Sequence, residues 1–242
     1  YGTTAQGDYS TAMGRSTTAS ATSSTAMGYN TEASGAYSLA SGYETTASNS
    51  NTVALGYNTT ASGHAGIAIG YGTTASGGYT TAAGYDTSAV GTSSTAMGEE
   101  TTSNGDASTA MGYNTTASDF ASLVIGQYND SGETITNSAT EFNTGNTAFV
   151  IGNGANDNDK SDAFKVMFNG DTTVSNDLTV SGDVVISSDA RLKSNIVSLG
   201  STLPKLLQID GKSYEMKGKQ KIGVLAQEIQ EVFPELVSED DN

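Results

Sequence analysis

The sequence contains no cysteine, which excludes both disulfide cross-links and thiolate metal sites. Cations are nearly missing from its first two thirds: Arg15 is the only Lys or Arg before Lys160, and the net charge is −16. Nucleic-acid binding needs clustered cations against phosphate, so that class of partner is set aside. No run approaches the roughly 18 apolar residues of a spanning helix, so no membrane insertion is expected in this stretch. Histidine occurs once, as His64, with no neighbouring ligands, and the carboxylates follow neither a calcium-loop nor an acid/base spacing. No metal or cofactor is therefore expected, nor turnover of an external substrate such as a glycan. The apolar share, 36%, is low for a single globular core. The chain opens on Tyr1 rather than Met, at the start of a repeat unit, and reads as a piece of a longer protein.

What the sequence does have is a period. Written in blocks of fourteen from Tyr1, it runs without a gap to Gly126, giving nine copies such as YGTTAQGDYSTAMG and YNTTASGHAGIAIG. Position fourteen is Gly in all nine. Position twelve is Ala in all but the last, which has Val124, and position five is Ala in all but one, which has Ser103. So strict a period marks a stacked architecture. Fourteen residues are too few for a helix pair, and the regular Gly argues against helix altogether. One block then reads as strand, turn, strand, turn: one coil of a narrow β-solenoid. Coils pairing at about 4.8 Å make a rod of roughly 43 Å, with Gly at the corners and small Ala filling the lumen.

Alternation sends positions eleven and thirteen to the face opposite the inward Ala of position twelve. Leu39, Val53, Ile67 and Leu123 occupy the first row, and Met13, Met27, Leu55, Ile69, Met97, Met111 and Ile125 the second. An Ala lumen leaves this second apolar face wet, and self-association about a shared axis would cover it. Position three is Thr in every copy and position four in seven. The Thr-Thr pair reads as one exposed row of good β-formers on a solvated face rather than an ice-binding array. The Tyr of position one, present in seven copies, reads as a structural stack rather than a set of glycan-binding rings.

These A-x-A-x-G and S-T-A-M-G style repeats resemble the head domains of trimeric autotransporter adhesins. The resemblance covers residues 1–126 and implies a mainly β fold, a left-handed parallel β-roll wound into a homotrimer, with an adhesive surface at the cell exterior. Residues 127–187 form the next segment, with AFVIGNG, DAFKVMFNG and short Val- and Leu-containing runs. These runs are too sparse for a domain of their own and suit an intertwined β neck shared by three chains.

Residues 188–242 differ in composition. Leu203, Leu206 and Leu207 suggest a short helix near Pro204, SYEM and IGVLA a hairpin, and AQEIQEVF a helix with Leu225, Ile229, Val232, Phe233 and Leu236 on one face, stopped near Pro234. Fifty-five residues make a small α+β module. SDARLKSNI followed by IGVLAQEIQEVFPELV resembles the intramolecular chaperone and auto-processing domain of phage endosialidases, tail spikes and tail fibres. The resemblance implies a module that drives trimer assembly and then releases itself in a single turnover. Ser188 would be its nucleophile and Lys193 its general base, with Asp189 and Arg191 in support. The cut would fall at Ser187–Ser188, and Gly223, Ala226, Gln227 and Glu228 match a second signature. A spacing of five turns Ser188 and Lys193 to different sides of a helix or strand, so they meet only across a turn or between chains. Lys, ordinarily near pKa 10.4, must also be buried before it accepts a proton at neutral pH. Together the two resemblances imply a phage tail-fibre piece binding a host-surface glycan or protein receptor, or a bacterial surface adhesin of the same build.

Overall fold

The computed structural model describes residues 2–180, 194–197, 200, 202–216 and 219–234. The chain divides into two compact units, Tyr1–Thr179 and Val180–Asn242. Among the described residues no helix is long and apolar enough to cross a membrane.

The first unit is a β-solenoid whose coils follow the fourteen-residue period. A two-residue strand at positions four and five, β1 (Thr4–Ala5), and a five-residue strand at positions eleven to fifteen, β2 (Thr11–Arg15), start an alternation. It ends with β17 (Thr116–Ala117) and β18 (Leu123–Gln127). The odd strands form one parallel sheet of nine, and the even strands pair in parallel as the greater part of a sheet of twelve. Register is fixed at one coil per step, so Ala68 lies between Ala54 and Ala82, and Gly70 between Gly56 and Gly84. Identical positions therefore stack into columns.

Two Ala columns form the core. From the second coil on, every Ala at positions five and twelve is fully buried, Ala19 and Ala26 through Ala110 and Ala117. The Thr of position three is buried with them: Thr17, Thr45, Thr59, Thr73, Thr101 and Thr115 have no exposed surface. This corrects the expectation of a solvated Thr row at that position. Positions three and five sit on the same side of the strand, so if Ala points inward, Thr must as well. The outward member of the Thr-Thr pair is position four, where one copy carries the exposed Glu32. At position ten, Ser24, Thr80, Ser108 and Ser122 each donate to the carbonyl three residues earlier, at 2.6–2.8 Å, whereas the hydroxyls of Ser10, Ser38 and Ser94 are buried without a partner. The position-three hydroxyls of every coil from Thr17 to Thr115 are buried with no hydrogen-bond partner.

The corners differ from a simple glycine rule. Each coil turns through left-handed residues at positions two and nine, and most are not Gly: Asn30, Glu44 and Asn58 at the first, Ser23, Tyr37 and Ala65 at the second. The Gly of position fourteen is needed for a second reason. Gly70 has φ +131°, and a Cβ there would lie 2.0 Å from the carbonyl oxygen of Gly84 in the next coil. Close stacking of coils, as much as backbone freedom, excludes any side chain.

The sheet continues past the point where the period breaks. β19 (Thr147–Asn153) pairs in parallel with β18, setting Val150 beside Val124 and Gly152 beside Gly126. It is the long strand of a tenth coil, arriving twelve residues later than the period requires. β20 (Asp162–Met167) and β21 (Thr172–Val174) then add antiparallel and complete the larger sheet within the chain.

In the second unit the described elements are α1 (Leu203–Leu206), a hairpin of β22 (Lys212–Met216) and β23 (Lys219–Gly223), and α2 (Ala226–Val232). The second hairpin strand begins at Lys219, earlier than the IGVLA run suggests. Tyr214 pairs with Lys221 and Glu215 with Gln220, so residues lying between the SYEM and IGVLA runs belong to the ladder. Leu225 is the N-cap of α2 rather than part of its apolar face.

Candidate functional site

The outer face of the longer strands carries the features that distinguish this solenoid from an inert rod. Within one strand, Ile67 and Ile69 flank the buried Ala68 and point outward, as do Val53 and Leu55 around Ala54. Stacking aligns these side chains into two rows: Leu39, Val53 and Ile67 in one, Leu55 and Ile69 in the other. The rows shield each other partly along the rod, yet Ile69 remains 42% exposed, Met97 39% and Met13 52%. Although Thr takes position eleven in five coils and Ser41 interrupts the other row, an exposed apolar face of this kind marks an interaction surface.

Beside the stripe runs a tyrosine column. Tyr29, Tyr43, Tyr57, Tyr71 and Tyr85 stack with ring centroids 4.9, 4.8, 4.8 and 5.0 Å apart and planes within 13° of parallel. The coil repeat imposes this spacing, which is also a favourable stacking distance. The Arg15 guanidinium lies 5.4 Å from the Tyr29 ring centre and extends the column by a cation–π contact. The carboxylates of Glu44 and Asp86 raise the pKa values of Tyr43 and Tyr85, keeping both phenols neutral. Stacked rings present edges rather than faces, so the column reads as a structural ladder. His64 meets Tyr79 edge-on at 5.4 Å, and among the described residues no group of three metal-ligating side chains occurs.

The segment between β18 and β19 forms a cap that sequence reasoning missed. Coil nine has no following short strand to satisfy Thr116, and Asn129 supplies the bonds instead. Its Oδ1 accepts from the Thr116 N–H at 2.8 Å, and its Nδ2 donates to the Thr116 carbonyl at 2.9 Å. The Gly132 carbonyl accepts from the Ser118 N–H at 2.8 Å. Asp119, fully buried, accepts from the N–H groups of Thr136 and Thr147, both at 2.7 Å, and so holds the two ends of the loop. Buried Asn146 does the same for Ser138 through both ends of its amide. The readable signal was FVIG at 149–152, which repeats the Leu-Val-Ile-Gly of positions eleven to fourteen in coil nine.

In the C-terminal unit, Ser187, Ser188, Asp189, Arg191 and Lys193 lie outside the described residues. The second signature lies at the junction of β23 and α2. Gly223 ends the strand with the Tyr214 ring against it, and a Cβ would approach Tyr214 Oη to 3.1 Å. Ala226 and Gln227 open α2 at the surface. Glu228 reaches across to Lys212, whose Nζ also binds Asp210: the distances are 3.1 and 2.8 Å. The hydrogen bond from Lys212 holds the Asp210 carboxyl below its ordinary range, and the two acceptors hold the ammonium charged. Phe233 is the only buried residue among those described in this unit, whereas Leu206, Leu207, Ile222 and Val224 are exposed.

Comparison with known families matches both parts of the chain. Residues 5–31, 33–59, 61–87 and 89–118 match the YadA head domain repeat, and each match spans two copies of the repeat. Residues 188–238 match the chaperone of endosialidase. No curated protein matches the chain. The chain therefore joins YadA head repeats, folded as a β-solenoid, to a chaperone-of-endosialidase domain, an arrangement of the adhesin or fibre type.

Proposed function

We propose that this union of head repeats and chaperone domain is a homotrimeric extracellular fibre, a phage tail-fibre segment that attaches to a glycan or protein receptor on the host surface. The observation that carries the reading is the largely apolar face at positions eleven and thirteen, on which Met13, Ile69, Met97 and Leu123 are exposed in one chain. Three stripes turned toward a common axis would remove it from water. Each fully covered Leu, Ile or Met side chain contributes about 1.5–3 kcal/mol. The C-terminal unit has the same character, since its exposed leucines and Ile222 suit assembly against copies of itself. The YadA repeats also fit a bacterial surface adhesin; the chaperone domain favours the phage fibre.

The chaperone domain drives trimerisation and then leaves. Ser188 Oγ attacks the carbonyl carbon of Ser187 while Lys193 Nζ takes its proton. Lys193 returns the proton to the departing Ser188 nitrogen, freeing the amine and leaving Ser187 as an ester on Ser188 Oγ, and water hydrolyses that ester to a carboxylate at Ser187 and the Ser188 hydroxyl. Assembly lowers the lysine pKa by burying it, so cleavage reports that the trimer has formed. The test is mass measurement, native and denatured, on a chain with its natural C-terminus. A trimer that has lost the C-terminal unit is expected, with Lys193→Ala assembling but remaining full length. A native monomer overturns the fibre reading; cutting at the parent rate in Lys193→Ala overturns the dyad.

A further inference from the structure

The first 180 residues contain three cations, Arg15, Lys160 and Lys165, and two of the three line a single cavity. It has a volume of about 420 Å³ and sits where the cap loop, the end of β19 and the antiparallel strands β20 and β21 converge. That size is within the range of small-molecule sites. Its polar lining is rich in hydroxyls and amides: Ser131, Ser161, Asn153 and Asn176 among them.

The charges in this cavity are not equivalent. Lys160 is held in an ion pair with Glu133 from the cap loop. Asp162 spends both carboxylate oxygens on backbone N–H groups, those of Asp130 at 3.0 Å and Ser131 at 2.9 Å. Lys165 has no ion-pair or hydrogen-bond partner among the described residues, and neither does the side chain of Asp130. One uncommitted ammonium therefore shares a half-enclosed space with one uncommitted carboxylate and several hydroxyl and amide groups. Asp162 in this cavity is committed to backbone N–H groups and Asp130 forms no ion pair with Lys165, so the ammonium is left to pair with an external anion.

We propose that this cavity binds a hydroxylated monocarboxylate of the uronic-acid class. Its carboxylate would meet Lys165, while Asp130, Asn153 and Ser131 exchange hydrogen bonds with its hydroxyls. A charge-assisted bond supplies orientation, and the carboxylate and amides discriminate polyols from simple acids. The negative field of the whole chain disfavours a polyanion, so a single negative charge per residue bound is the best fit. The proposal goes beyond receptor attachment by assigning a site and a chemistry, and it stands whether or not three chains assemble.

The test is titration of the intact chain with D-glucuronate, followed by calorimetry and by amide shifts, with D-glucose and acetate as separate probes. Saturable glucuronate binding in the millimolar range is expected, with both controls at least about tenfold weaker. Lys165→Gln should weaken glucuronate about tenfold, and Lys165→Arg should retain it. Circular dichroism and native mass on the same samples show whether a variant has lost its fold or assembly, separating that loss from loss of the site. No saturable binding up to about 50 mM overturns the proposal, being far above the millimolar range. So does glucose binding as well as glucuronate, or Lys165→Gln binding undiminished. Calcium binding that disappears in Asp130→Asn, without glucuronate binding, would make the cavity a cation site instead.

Discussion

Asn129 grips Thr116 by both polar groups of its backbone, accepting from the N–H at 2.8 Å and donating to the carbonyl at 2.9 Å. Every earlier coil receives these bonds from the backbone of its successor, as Thr102 does from Thr115. One side-chain amide thus ends a sheet that would otherwise present an open edge. Asn129→Leu keeps the volume and removes both bonds. It is expected to destabilise the solenoid by about 2–4 kcal/mol, read as a shift in denaturant midpoint at unchanged slope, because two buried groups lose their partners. A midpoint equal to the parent's would show that the cap is dispensable.

The outward stripe gives a contrast between neighbouring sites. Ile69→Asp is expected to abolish the trimer, since three unpaired carboxylates would meet near the axis. The matched control is Thr74→Asp, at position four, where Glu32 already shows that an acidic side chain is accommodated. Thr73, one residue earlier, is no control: it is fully buried, and a carboxylate there would disrupt the lumen itself. Sedimentation of both variants decides; equal trimer yields would refute the face assignment.

Thr73→Val tests the lumen from the opposite direction. The Thr73 hydroxyl is buried without a hydrogen-bond partner, and valine has nearly the same shape. Removing an unsatisfied polar group from an apolar column is expected to raise stability by about 1 kcal/mol. A lower melting temperature would mean that the hydroxyl column is satisfied by bound water and contributes to the fold.

The phenol of Tyr128 offers a pH signal. Its hydrogen bond with Tyr113, reinforced by desolvation, pushes its pKa up to about 12. Because the folded value lies above the unfolded one near 10, the neutral phenol stabilises the native state. That contribution is complete below about pH 10 and is lost as pH rises through about 12. Ultraviolet titration of Tyr128→Phe against the parent should remove one late-titrating phenol. Loss of an ordinary one instead would contradict the Tyr113 contact.

Much of the solenoid was legible because its columns repeat: Ala19, Ala26 and their equivalents mark the inside in coil after coil. The Thr-Thr pair was misread because a hydroxyl suggests solvent, while alternation from Ala19 places Thr17 indoors. The cap was hidden because it occurs once. Asn129, Asp119 and Asn146 are polar residues in a loop-like stretch, and only their burial shows what they hold. In the C-terminal unit, Gly223 and Glu228 acquire physical reasons in Tyr214 and Lys212 that no local pattern announces.

The fourteen-residue register has a consequence for how the rod is wound. A coil displaced by one whole step meets Ala with Ala and Gly with Gly again, so the columns hardly distinguish the correct stack from one shifted along it. Such degeneracy leaves weakly specified pairings prone to slippage. The clasp of Asn129, Asp119 and Asn146 exists at one address only, next to β18. It serves as the zero mark from which coils are counted, which favours winding that starts at the C-terminal end of the solenoid and proceeds backward along the chain.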